Sequence, residues 1–226
     1  MIRKLSCVCF FLLWATDAGA QTLTDERVWF TLTLQEPGNA GSPWRWNFET
    51  YFRSREGVDE LDSMGLRPTL IYAVTPHWSV GGGYAFVPLF PVIGPSLIEH
   101  RPYGQVGWTT ALAGGTFSFR TRMEVRLVES NSGPAGRFRQ QVRFTHPFRK
   151  GSRLSWGGYD EILVHTNSTT RAARGVDSNR FFGGVAVAMP HALRIESGYL
   201  NQFSPGHRGL PDRRYHILSS TLTVSF

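Results

Sequence analysis

Lysine is nearly missing from this chain. Only Lys4 and Lys150 occur, so of the 24 lysines and arginines 24 − 2 = 22 are arginine. Cysteine is confined to Cys7 and Cys9. Both lie in an amino-terminal stretch that reads as a removable leader, so the remainder holds no thiol, no disulfide and no cysteine metal ligand. Beyond that stretch no run approaches the roughly 18 consecutive apolar residues of a transmembrane helix, and none carries a convincing helical period. The histidines are scattered without paired ligand spacing, which gives no metal site and no cofactor to expect. Positive charges alternate along strand-like segments instead of clustering in a patch or on a helix. The formal net charge of +7 therefore does not argue for nucleic acid. Gly81-Gly82-Gly83 runs on into Tyr84 and Phe86 with strand alternation; it reads as curvature or clearance for a bulky neighbour, not as a phosphate loop.

What is present at the two ends is more specific. Met1–Ala20 has a basic start (Arg3, Lys4), an apolar core over Cys7–Trp14 and a small-x-small ending, Ala18-Gly19-Ala20, the pattern of a cleaved secretory signal. Cleavage near Ala20 leaves residues 21–226 as one domain. Its net charge is 22 − 16 = +6 once Arg3, Lys4 and Asp17 are removed. At the other end Leu218, Leu222, Val224 and Phe226 share one strand face, and Ser219, Thr221, Thr223 and Ser225 share the other. A terminal aromatic on such a strand resembles the carboxy-terminal signature of bacterial outer-membrane β-barrels. The expected location is therefore the outer membrane of a Gram-negative bacterium. Leu222, Val224 and Phe226 would be the signal offered to the barrel-assembly machinery. A basic secreted chain also fits anionic lipid partners, lipopolysaccharide and phospholipid headgroups, although a GC-rich genome would produce the same arginine bias.

Between the ends, eleven segments alternate like strands: 28–36, 44–53, 64–74, 78–87, 101–110, 117–129, 138–146, 154–166, 179–189, 193–203 and 214–226. Most approach the about 9–11 residues that cross a bilayer at a tilt. The connections alternate between short and long, as periplasmic turns and external loops do in membrane barrels. Such barrels usually hold an even number of strands, so the expectation is ten or twelve. Either 28–36 is not a full strand or one further strand is hidden.

Charge is sorted by face. Phe117, Phe119, Thr121, Met123, Val125 and Leu127 oppose Ser118, Arg120, Arg122, Glu124 and Arg126. Trp44, Trp46, Phe48 and Phe52 oppose Arg45, Asn47, Glu49 and Arg53; Leu193 and Ile195 oppose Arg194 and Glu196. An arginine facing lipid at the midplane costs about 2–4 kcal/mol, so one-sided placement across many strands has a physical cause. Trp44, Trp46, Trp78, Trp108 and Trp156 fall near segment ends, where an interfacial girdle sits. A soluble sandwich shares much of the composition, but this sorting favours an all-β fold: a transmembrane antiparallel up-and-down barrel of about 10–12 strands with a charged, arginine-rich lumen.

Several strings extend the reading. They are Glu99-His100-Arg101-Pro102-Tyr103, the run Arg120–Arg126, the run Arg137–Arg143, Glu161–Asn167, Asn179-Arg180 and Gly198-Tyr199-Leu200-Asn201-Gln202. In this order and spacing the chain resembles the bacterial outer-membrane family catalogued as domain of unknown function 2490. The resemblance runs from about Trp29 to the carboxyl end. It implies an outer-membrane barrel with a charged interior and supplies no activity.

Alternation gives the inward set Arg45, Glu49, Arg53, Arg67, Glu99, Arg101, Arg120, Arg122, Glu124, Arg126, Arg139, Arg143, Glu161, Arg180, Arg194 and Glu196. Three functions follow. Bidentate Arg–Glu pairs could fill a structural barrel. Surplus arginines could line an anion-selective channel or hold an anionic ligand. A lipid-modifying enzyme could use rim groups, with His165, Thr166, Asn167 and Ser168 in one external loop, His207 and Asp212 in a second, and Asp59, Glu60 and Asp62 in a third. No nucleophile spacing links these groups, so no catalytic residue is assigned. His100 cannot share a site with Glu99 and Arg101 unless a bulge intervenes. The apolar run Pro88–Ile93 could be a lid, a plug or a contact surface.

Overall fold

The computed structural model describes residues 22–36 and 41–226; the leader expected over 1–20 lies outside them. Among the described residues every regular element is a strand, because the apolar–polar period of two runs almost unbroken. The strands are β1 (Thr22–Gln35), β2 (Trp44–Arg55), β3 (Glu60–Ala73), β4 (Trp78–Leu89), β5 (Leu97–Leu112), β6 (Gly115–Val128), β7 (Ala135–Pro147), β8 (Leu154–His165), β9 (Gly175–Met189), β10 (Leu193–Ser204) and β11 (Asp212–Ser225). Each pairs with its chain neighbours and the ring closes by β1 against β11.

That closure corrects two expectations. The barrel has eleven strands, not ten or twelve, and its seam is parallel, from Thr22 opposite Asp212 to Gln35 opposite Ser225. In a meander with an odd number of strands the first and last run the same way, so a parallel pair is the one way to close. The 28–36 segment is a full strand that begins earlier, at Thr22. Its ladder with β2 covers only Trp29–Gln35, where β2 shifts register between Arg53 and Ser54. Beyond that bulge, Ser54 takes over as a side-chain clip. Its hydroxyl accepts from Val28 N at 2.9 Å and donates to Val28 O at 3.2 Å, while Gly57 N donates to Glu26 O at 2.7 Å.

The two ends of the barrel differ. At one end the connections 74–77, 113–114 and 190–192 are short, with 36–43 and 148–153 longer; at the other lie 90–96, 129–134, 166–174 and 205–211. The third external loop shrinks to Glu56–Asp59, because β2 and β3 run on past their expected ends. Glu60 and Asp62 thus belong to β3. Glu60 pairs with Arg55 at 2.5 Å, and Asp62 lies 3.6 Å from Arg27.

Outward positions are apolar and exposed around the ring, among them Phe30, Phe52, Leu70, Val106, Met123, Val185, Ile195 and Leu218. Polar groups on that wall bond sideways. Thr121 donates to Gln140 at 2.7 Å, Asn179 to both oxygens of Asp160 at 3.1 Å, and Tyr199 meets His216 at 2.5 Å. Trp44, Trp46, Trp78, Trp108 and Trp156 all gather at the short-turn end, joined by Tyr72, Phe117 and Phe144 through ring contacts of 4.9–6.4 Å. Phe226 stacks on Trp46 there at 6.2 Å.

Inside, Trp29, Phe182, Leu200, Tyr215 and Ile217 form one apolar cluster, and Tyr51, Ala85 and Val87 a second. Two glycines make room for interior rings. A Cβ on Gly65 would collide with the Tyr51 ring, and one on Gly83 with Tyr103 and with Pro68 O. Within the glycine run of β4, Gly83 is the clearance for the Tyr103 ring, while a Cβ on Gly81 would meet Leu70 O. Eleven strands enclose more space than the about eight that ordinary side chains just fill, and long arginines and tyrosines take it up.

Candidate functional site

Alternation delivers the interior charges from successive strands, and closure brings them together. β6 supplies Arg120, Arg122, Glu124 and Arg126; β7 supplies Arg137, Arg139 and Arg143; β8 supplies Glu161; β9 supplies Arg180. Leaving a buried carboxylate without partners is costly. Here each of the three most buried glutamates has at least two guanidiniums. Glu99 accepts from Arg101 at 2.6 and 2.7 Å and from Arg126 at 2.5 and 3.0 Å. Glu124 accepts from Arg137 at 2.6 and 2.9 Å and from Arg139 at 2.8 Å. Glu161 accepts from Arg139 at 2.7 and 2.8 Å, from Arg120 at 3.2 Å and from Arg180 at 3.5 Å. Arg139 thus ties Glu124 to Glu161, and one lattice spans β6 to β9. Glu49 pairs separately with Arg67 at 2.6 Å, and Glu196 with Arg143 and, at 3.6 Å, Arg194.

Not every guanidinium finds a carboxylate. Arg53 lies over the rings of Trp29 and Tyr51, at 4.2 and 4.5 Å, in cation–π geometry. Arg122 covers Tyr103 at 4.2 Å and donates twice to Gln105 Oε1, at 2.7 and 3.1 Å. Its Nη1 has no hydrogen-bond partner among the described residues, and Glu124 Oε1 stands 3.7 Å away. Arg45 sits exposed at the short-turn mouth with no ion pair among the described residues. Glu99 and Arg101 point inward and His100 outward, where it bonds Tyr84; no bulge joins the three.

Several participants were missed from sequence. Arg137 shares the parity of Arg139 and Arg143 but falls one residue before the expected strand start at Phe138. Asp177 precedes the expected start of β9 and turns inward beside the register shift at Leu163/Val164. His165 corrects the loop assignment outright. It is the last residue of β8, 4% exposed, with Nε2 3.3 Å from Asp177 Oδ1; Arg137 reaches the other oxygen of Asp177 at 3.2 Å. Gln105 and Gln202 complete the shell, the latter accepting from Arg180 at 2.8 Å.

Above the lattice, the loops at the long-loop end are stitched together. Thr170 exchanges bonds with Ser132 at 3.0 and 3.2 Å and donates to Asn131 at 2.8 Å. Asn167 accepts from Gly136 N at 2.7 Å and donates to Pro134 O at 2.9 Å. From the other side Arg208 donates to the carbonyls of Thr169 and Thr170 at 2.9 and 3.1 Å. Thr169 and Ala172 are buried by this arrangement. Two cavities flank the strap. One of about 310 Å³ lies against 204–211, with Arg171, His165 and Asp177 on its wall, and one of about 200 Å³ lies against Arg126 and Asn131. Val92 and Ile93 form a strongly exposed tip outside it.

Over residues 26–213 the sequence matches the model of a family described as protein of unknown function (DUF2490). An uncharacterized protein of Methylorubrum extorquens is 29% identical over 229 residues, an alignment covering 98% of this chain and 96% of the relative. No solved structure gives a significant match.

Proposed function

The chain belongs to the family of proteins of unknown function DUF2490, and from that premise we propose that it is an outer-membrane barrel of a Gram-negative bacterium whose interior is packed shut as a scaffold. The observation that carries this reading is the sharing of Arg139 between Glu124 and Glu161. A solute path needs charges on a wall around water, whereas Glu99, Arg122, Glu124 and Glu161 are at most 3% exposed and Arg143 reaches past two strands to Glu196. The stitched 166–174 strap supports the same reading by lying over the mouth.

Membrane residence rests on the outer wall. Fully burying one Leu, Val or Phe side chain is worth about 1.5–3 kcal/mol, and soluble monomers rarely expose apolar patches beyond a few hundred Å². A continuous exposed belt with tryptophans at one rim is costly in water and favourable in hydrocarbon. The strands, of 12–16 residues, are long enough to cross. On this reading the leader is removed near Ala20, the assembly machinery engages Leu222, Val224 and Phe226, and lipopolysaccharide and phospholipid surround the wall.

A second reading, a narrow anion passage, is favoured by one observation: Arg45 and Arg53 have no carboxylate partner among the described residues. Single-molecule conductance of the refolded mature chain in a planar bilayer with a salt gradient separates the two. The scaffold predicts a silent barrel whose folding is shown by strand-rich circular dichroism. Steady anion-selective steps that shrink in Arg120→Gln, Arg122→Gln or Arg143→Gln would overturn it in favour of the passage.

A further inference from the structure

The cavity of about 310 Å³ between the strap and 204–211 has a lining that the lattice does not use. Asp177 is its carboxylate, already matched by Arg137 and His165. Arg208 gives two of its five donors to the strap carbonyls. Arg171 and Arg213 remain, exposed, with no carboxylate partner among the described residues. Unlike them, His165 is buried, and its Nδ1 has no hydrogen-bond partner among the described residues. An orphaned buried nitrogen beside a cavity calls for a ligand atom or a water.

The chemistry of that nitrogen narrows the ligand. Nε2 is committed as a donor to Asp177, so in the neutral ring Nδ1 carries the lone pair and accepts. A fully deprotonated anion offers nothing to an acceptor; a hydroxyl, on a sugar carbon or on a protonated phosphate oxygen, does. Two unneutralised guanidiniums, by contrast, suit a phosphate through their forked donors. The volume sits at the low end of small-molecule sites, about 300–1,000 Å³, room for one sugar ring and its phosphate. Tyr215 and Leu210 supply apolar wall for the ring's carbon face.

We propose that this cavity binds a phosphorylated sugar, with the phosphate on Arg171 and Arg213 and a neighbouring hydroxyl donating to His165 Nδ1. The ligand is either a free sugar phosphate or the phosphorylated sugar headgroup of a surrounding glycolipid. The site stands without the membrane reading; only the second source depends on it.

Isothermal titration of the detergent-refolded mature barrel tests this with four probes: glucose 6-phosphate, inorganic phosphate, glucose and deacylated lipopolysaccharide. Saturable binding of glucose 6-phosphate is expected, weaker binding of phosphate and none of glucose. Arg171→Gln with Arg213→Gln should weaken the sugar phosphate by about tenfold or more. Both side chains are exposed, so this variant leaves the buried lattice intact and does not confuse binding with folding. His165→Phe should bring glucose 6-phosphate down to the affinity of phosphate while leaving phosphate itself unchanged. Deacylated lipopolysaccharide that competes for the site assigns the headgroup source; sugar-phosphate binding without competition assigns the free one. No saturable binding of either phosphorylated probe, or binding untouched in the double arginine variant, overturns the proposal. So would equal affinity for phosphate and glucose 6-phosphate.

Discussion

Arg139 meets Glu161 through three hydrogen bonds, from Nε at 3.2 Å and from Nη2 at 2.7 and 2.8 Å, and its remaining nitrogen reaches Glu124 at 2.8 Å. One guanidinium bridges two buried carboxylates on the strands either side of its own. Breaking a buried pair from one side costs about 3–5 kcal/mol because the surviving charge stays buried. Glu161 answers three arginines, so Glu161→Gln should lie at the upper end of that range. Arg120→Gln, which removes a side chain about a third exposed, should cost far less. Urea unfolding of the refolded barrel, followed by tryptophan fluorescence, reads both; equal midpoints for the two variants would show that the lattice does not act as a unit.

Alternation made much of this visible beforehand, and its limits are equally physical. Period two sets Arg120, Arg122, Glu124 and Arg126 against Phe119, Met123 and Val125, and the first set carries the buried ion pairs while the second is largely exposed. Strand order and the all-β class follow from local pattern. The parallel seam does not, because β1 and β11 lie at opposite ends of the chain and their register is set only on closure. Asp177 was hidden by a bulge, which breaks the parity on which the reading depends. His165 was hidden because a strand's last residue next to Thr166-Asn167-Ser168 looks like a loop residue until the strap folds over it. The strap itself rests on side-chain to backbone bonds between separate loops, which no periodic pattern announces.

The seam makes a covalent prediction. Thr31 and Thr221 are register partners across β1 and β11. With the leader removed the chain has no other cysteine, so Thr31→Cys with Thr221→Cys reports on this pair alone. Neighbouring strands lie about 4.7–4.9 Å apart, within the about 4.4–6.8 Å between Cα atoms that a disulfide spans. Oxidation should give a cross-linked species of altered gel mobility in the folded barrel. Thr31→Cys with Thr223→Cys, displaced by two residues, should stay reduced. Preference for the displaced pair would mean a different closure.

Gly65 makes a packing prediction that can be rescued. The three atoms nearest to its missing Cβ all belong to the Tyr51 side chain. Gly65→Ala should therefore destabilise by about 1–3 kcal/mol through overpacking. Tyr51→Leu empties the contested space, so the double variant should lose less than the sum of the single losses, a coupling that denaturant midpoints can measure. Gly83→Ala should not be rescued in the same way by Tyr103→Leu, because Pro68 O also stands 2.5 Å from the would-be Cβ. A carbonyl in the sheet cannot be trimmed. Simple additivity at Gly65 would mean that Tyr51 does not hold this position.

Phe226 separates assembly from stability. It lies just beyond β11, exposed; its ring stacks on Trp46 at 6.2 Å and its backbone N donates to Gln35 O at 3.2 Å. An aromatic pair of this kind contributes about 0.5–1.5 kcal/mol beyond area burial, small against a lattice of buried ion pairs. If Phe226 serves mainly as a signal to the assembly machinery, Phe226→Ala should leave the unfolding midpoint of refolded protein within about 1 kcal/mol of the parent. Insertion into vesicles carrying reconstituted assembly machinery should nonetheless slow several-fold, while insertion into bare vesicles stays the same. Trp46→Ala is the control, since it removes the same stack from the other side and leaves the terminal residue in place. Parallel loss of rate in both variants would make the stack itself the cause. Slowing confined to Phe226→Ala would make the terminal aromatic a feature that is read before the barrel closes, when Trp46 and β11 have not yet met.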